Sequence, residues 1–164
     1  ILKTDLPAYK DLKDWLRPRG LTRLIDTALE RLGHLKSNVN SHLEGLEGNK
    51  DEKTSASRKI IQNFMLLTDG EDNVSKRDAE ALKDELEKAR KEDDLTAFFL
   101  GANQDAIVSG KIYGFREHTS MTFTPSKKSC SYAIQATSRI MKMRSASPET
   151  PAKFTTMDRY KSLE

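Results

Sequence analysis

The oxygen-bearing side chains of Thr68-Asp69-Gly70-Glu71-Asp72 are the residues best placed to do chemistry, with Asp69 foremost. They close a largely apolar run (Ile60, Ile61, Phe64, Met65, Leu66, Leu67) that reads as a strand buried on both faces. Beyond Gly70 the pattern turns helical, with Ala79, Leu82, Leu86 and Ala89 on one face. A buried parallel strand that delivers a carboxylate into the turn before a helix is where α/β proteins place ligand chemistry. The plainer reading of Asp69 is a turn former, since Asp-Gly is ordinary turn chemistry. Glu71 and Asp72 read as solvated charge. An EF-hand is excluded, because Asp69-Gly-Glu-Asp lacks the Asp-x-Asp-x-Asp-Gly spacing. A hydrolase built on Asp69, Glu71 and Asp72 finds no His, Ser or Lys in a recognisable catalytic arrangement. His34, His42 and His118 have neither metal-ligand spacing nor a cysteine partner. Asn73-Val-Ser75 matches a glycosylation triplet, a pattern frequent by chance.

The elements that must hold these residues follow from periodicity. Residues 1–19, punctuated by Pro7 and Pro18, read as an extended segment and a loop. Thr22 is placed to cap or begin a helix whose stripe is Leu24, Ile25, Ala28, Leu29, Leu32 and Leu35, with Asp26 near the positive end of its dipole. Residues 47–58 are polar and unpatterned and read as a flexible loop. A helix is expected over about 76–91, with Ser75 as its N-cap and Asp78 three residues on. Leu95–Leu100 reads as a second buried strand, 103–110 as a short helix, and Ser120–Thr124 as a third strand. Residues 129–144 form a further helix with Tyr132, Ile134, Ala136, Ile140 and Met141 as core and Cys130 buried or half-buried.

Alternating strands and helices predict an α/β fold: a partial doubly wound, Rossmann-like, mostly parallel sheet with helices on both faces. Strands at about 60–68, 95–100 and 120–124 should lie parallel and adjacent in that order. Three strands are few for such a sheet, and the first is too apolar for an open edge, so a neighbour is expected beside it. At 164 residues the length suits one domain. We divide it into a domain over 1–146 and a polar, partly docked tail over 147–164. With 32% charged residues the helices should carry long solvated faces, and 28 basic against 25 acidic residues are too balanced to argue for nucleic acid. One cysteine allows no intrachain disulfide and favours a reducing compartment. No apolar run is long enough to span a membrane. Residues Lys127 to Lys161 hold eight bases against two acids, which could touch phosphate or an acidic partner and reads more plainly as a solvated face.

Several motifs in order resemble those of von Willebrand factor A domains, of the intracellular type found in microbes and phages. Arg17-Pro-Arg-Gly-Leu-Thr-Arg-Leu-Ile-Asp26 is similar to their Gly-x-Thr-x-Leu-x-Asp-Ala loop. Met65-Leu-Leu-Thr-Asp-Gly-Glu-Asp-Asn73 is similar to their central strand and Thr-Asp-Gly turn. Phe98–Ala106 resembles the next strand and turn, and Phe154–Arg159 the close of the domain. The resemblance spans roughly residues 15–160.

It implies a metal-ion-dependent adhesion site built from three loops. Thr22 corresponds to the threonine of the second and Asp69 to the aspartate of the third. The Asp-x-Ser-x-Ser motif of the first occurs nowhere in these 164 residues, so the chain is expected to begin after the strand that carries it. A hydroxyl and one carboxylate suit Mg²⁺, which keeps several waters and leaves room for an acidic group from a partner. The resemblance therefore implies an intracellular, non-enzymatic module. It would bind a protein partner through Mg²⁺ or another divalent cation when the missing loop is supplied, with no membrane and no nucleic acid as partner. The alternative is a metal-free scaffold for assembly in which Asp69 is structural.

Overall fold

The computed structural model describes residues 22–47, 60–103 and 105–164, so the segment read over 1–19 and, apart from the helical Glu47, the loop read over 47–58 lie outside the described residues. In chain order the elements are α1 (Leu24–Glu47), β1 (Asn63–Thr68), α2 (Ala79–Glu92) and β2 (Thr96–Ala102). There follow α3 (Ala106–Ile112), a 3-10 turn (Glu117–Thr119), β3 (Ser120–Phe123), α4 (Lys127–Ala146) and α5 (Thr156–Lys161). The fold is α/β. Its three strands are parallel in the order β1-β2-β3, as the alternation of elements predicts. Asn63 lies opposite Thr96 and Thr68 opposite Gly101, while Phe99 faces Ser120 across the next pair.

Every residue of β2 is buried, which explains why an unbroken apolar run rather than alternation marks it. Its side chains alternate between two cores. Ala97 and Phe99 join Leu24, Ala28, Leu32, Leu82 and Leu86 under α1 and α2. Phe98, Leu100 and Ala102 join Met121, Phe123, Ala133 and Ile140 under α4. Fully burying a phenylalanine or leucine contributes about 1.5–3 kcal/mol, so β2 anchors both layers.

β1 corrects the expectation of burial on both faces. Phe64 and Leu66 turn toward the first core, but Met65 and Leu67 on the opposite face are 39% and 43% exposed. The second core is built on β2 and β3, and among the described residues β1 has no strand on its outer side. In α4 the buried stripe is Ser129, Ala133, Ala136, Thr137 and Ile140. Tyr132 and Met141 pack at its flank. Ile134, assigned to the core by its hydrophobicity, is 40% exposed because the small residues Ala133 and Thr137 occupy the inward turn positions. Ile134→Gln should accordingly change stability by less than about 0.5 kcal/mol in chemical denaturation.

The segment after Ala146 is held by an apolar anchor and a polar hub. Phe154 is buried edge-on against Phe98, ring centroids 5.9 Å apart. Thr155 and Asp158 form a capping box that starts α5, which composition alone does not suggest. Asp158, its side chain 2% exposed, accepts from Arg139 Nη2 (2.7 Å), Thr155 Oγ1 (2.8 Å), Thr155 N (2.9 Å) and Tyr132 Oη (3.1 Å). Ser162, also buried, donates through Oγ to the Thr122 carbonyl at 2.7 Å, and its carbonyl accepts from Ser129 Oγ. No helix among the described residues is long and apolar enough to cross a membrane.

Candidate functional site at the carboxyl end of the sheet

The turn after β1 is shaped by its own last residue. Thr68 Oγ1 donates to the Gly70 carbonyl (2.8 Å) and accepts from the Gly70 amide (3.2 Å), folding the chain so that Asp69 projects as an exposed side chain. Further along, the Asp72 amide donates to Tyr113 Oη at 3.3 Å, which braces the loop from the end of α3.

This loop is fastened to the start of α1 by a reciprocal set of bonds. The Thr22 amide donates to Asn73 Oδ1 (2.8 Å), and the Asn73 amide donates back to the Thr22 carbonyl (3.1 Å). Asp72 Oδ1 accepts from the Ile25 amide (3.2 Å) and from the hydroxyl of Ser75. Ser75 Oγ in turn accepts from the Asp26 amide (3.0 Å). The free amides at the first turn of α1 are therefore capped from the distant loop rather than by the preceding residues. Asp26 answers in the other direction. Its carboxylate accepts from the amides of Lys76 (3.0 Å) and Arg77 (3.2 Å) and from the guanidinium groups of Arg23 (2.9 Å) and Arg77 (3.3 Å). The Lys76 amide first, then Arg23, with Arg77 adding, hold Asp26 far below the usual carboxylate range against the opposing cost of burial.

Three expectations change here. Ser75 does not cap α2; Asp78 does, accepting from the Ala81 amide at 2.9 Å. Thr22 precedes α1 and meets Asn73 through its backbone, while the side-chain caps of that helix are Asp72 and Ser75. Asp72 is half-buried and bonded rather than solvated, whereas Glu71 is exposed as expected. The structure thus brings the Thr22 segment against the loop that carries Asp69. The visible signals for the clamp were Asp26 in the first turn of α1 and the Asp72-x-x-Ser75 spacing.

The Thr22 hydroxyl and Asp69 carboxylate enter no side-chain hydrogen bond or ion pair among the described residues, so both remain available as oxygen donors. They fit Mg²⁺ in kind, and fall short of a full site in number. Among the described residues no group of three or more His, Cys, Asp or Glu is arranged to hold a metal ion. No family model, no curated protein and no solved structure matches this chain.

Proposed function

We propose that this chain is a binding module of the von Willebrand factor A type. In this reading Thr22 and Asp69 contribute oxygen ligands to a divalent cation, and the cation takes an acidic group of a protein partner. The observation that supports it is the clamp of Thr22, Asp26, Asp72, Asn73 and Ser75, which fastens the two donor-bearing segments together at the carboxyl end of the parallel sheet. Ligand sites of open α/β sheets form at that end. A bound cation would supply an electron-poor centre; the chain's own residues would orient it and leave coordination positions open. No nucleophile or general base is part of this reading, so the module is not an enzyme.

The test is thermal melting of wild type and Asp69→Ala in Mg²⁺ and in EDTA. An ion at ten times its Kd should raise the wild-type Tm by about 3–5 °C and leave the variant unmoved. Superimposed wild-type melts would support the second reading, a metal-free scaffold. That reading has its own observation, since the two segments are already joined by hydrogen bonds that require no ion.

A further inference from the structure

At the opposite, amino-terminal end of the sheet lies a cavity of about 650 Å³, where β2 begins at Thr96 and the 3-10 turn feeds β3 at Thr119. That volume suits a small molecule of nucleotide or sugar-phosphate size. Arg90 from α2, Arg116 before the 3-10 turn, Arg144 from α4 and Lys153 from the tail converge on it, against Asp94 and Glu149. Among the described residues none of these four cations is ion-paired to a carboxylate. Arg90 is oriented by one bond, Nη2 to the Gly114 carbonyl at 2.8 Å. Gly114 is left-handed at φ 86°, and a Cβ there would stand 2.6 Å from Lys83 Cα, so this turn is pressed against α2 and fixes the guanidinium it holds.

The cations are also crowded, with Glu87 the carboxylate that acts on Arg90. Burial, and then the neighbouring charge of Arg116, pull Arg90 down to about 10, which leaves it protonated at neutral pH. Partial burial, followed by the charges of Arg116 and Arg90, holds His118 below the usual imidazole value. Arg90 and Arg116 also line an adjoining cavity of about 420 Å³, together with Lys91, Lys111, Glu87 and Lys83, the last ion-paired to Glu80. Four cations against Asp94 and Glu149 leave the recess with an excess of positive charge, and an anion that accepts from planar guanidinium groups relieves it.

We propose that this recess is a binding site for a small phosphorylated molecule, whose phosphate group sits between Arg90 and Arg116 with Arg144 and Lys153 at its margin. The concave shape favours a small ligand over a nucleic-acid strand, which would track an extended groove. The site lies away from Thr22 and Asp69 and does not depend on the cation reading.

The experiment is amide chemical-shift titration of the 164-residue chain with ribose 5-phosphate, inorganic phosphate and a single-stranded 20-nucleotide DNA, against sodium chloride at matched ionic strength. Ribose 5-phosphate should give saturable shifts at Arg90, Gly114, Arg116 and Thr119 with a Kd below about 1 mM. Inorganic phosphate should shift the same amides more weakly. Arg116→Gln and Lys153→Gln change exposed side chains, and their spectra report directly that the fold is kept. Arg116→Gln should weaken binding about tenfold and Lys153→Gln less. Shifts reproduced by sodium chloride, or unchanged affinity in folded Arg116→Gln, would overturn the proposal. So would DNA binding tighter than the sugar phosphate with shifts spread beyond the recess.

Discussion

Asp26→Ala should produce the largest loss of stability of any single polar substitution outside the two hydrophobic cores, lowering Tm by roughly 5–10 °C. The carboxylate is only 9% exposed and accepts from four donors, one on Arg23 just before α1 and three on Lys76 and Arg77 in the segment before α2. Removing it strands the Lys76 and Arg77 amides and frees the Asp72–Ser75 arm to swing away from Ile25 and Asp26. The Thr22–Asn73 bridge should open with it, seen as faster hydrogen exchange at both amides. Asp72→Ala should cost less, and the double variant should cost less than the two losses added, because both carboxylates serve one network. The pH dependence has a definite sign. Asp26 titrates lower in the folded chain than in the unfolded one, so its contribution is complete above the ordinary carboxylate pKa of 3.8. It fades as pH falls below that value toward the folded pKa. Wild type and Asp26→Ala should therefore differ most near neutrality and converge in acid.

Asp158→Ala should cost about 2–3 kcal/mol and release the end of the chain. The hub it forms joins α4 through Tyr132 and Arg139 to the cap of α5 through Thr155. Burial acts to raise the Asp158 pKa, but Thr155 and Arg139 outweigh it and hold it below its ordinary value. Its contribution is therefore also present above the unfolded carboxylate pKa and lost as pH drops. Tyr132→Phe removes one of these donors and leaves the other three, so it should cost under about 1 kcal/mol. Hydrogen exchange over residues 155–164 should rise sharply in Asp158→Ala and little in Tyr132→Phe. Equal, small effects in both would show that Phe154 alone holds this segment.

The parts of the fold legible in the sequence are those fixed by local pattern. Phe98-Phe-Leu at the heart of β2, the stripe of α1, and the apolar run ending at Thr68 mark elements whose order and parallel pairing the structure reproduces. Features set by distant partners were not legible. Ser75 and Asp78 are both acceptable caps at a helix start, and what separates them is that the Asp26 amide, 49 residues earlier, takes the hydroxyl of Ser75. Asp72 reads as surface charge until α1 is laid beside it. Ile134 reads as core by its hydrophobicity, yet helix geometry gives the inward positions to Ala133 and Thr137. The start of α5 could have been found, since Thr155-x-x-Asp158 is a capping spacing, but six residues leave too short a pattern to stand against a polar, proline-bearing background. No pattern in the residues between them marks the approach of the Thr22 backbone to Asn73 in the loop that carries Asp69.

The central claim, that Thr22 and Asp69 serve one cation, is tested most directly by Mn²⁺ as a paramagnetic stand-in for Mg²⁺, with amide spectra recorded on wild type and Asp69→Ala. With one carboxylate and one hydroxyl from the protein, affinity should be weak, about millimolar. The account predicts selective broadening at Thr22 and Asp69–Asn73, reversed by excess Mg²⁺ and absent in Asp69→Ala, while the recess around Arg90 and Arg116 keeps sharp signals. Broadening that ignores Thr22, or that persists unchanged in Asp69→Ala, would contradict it.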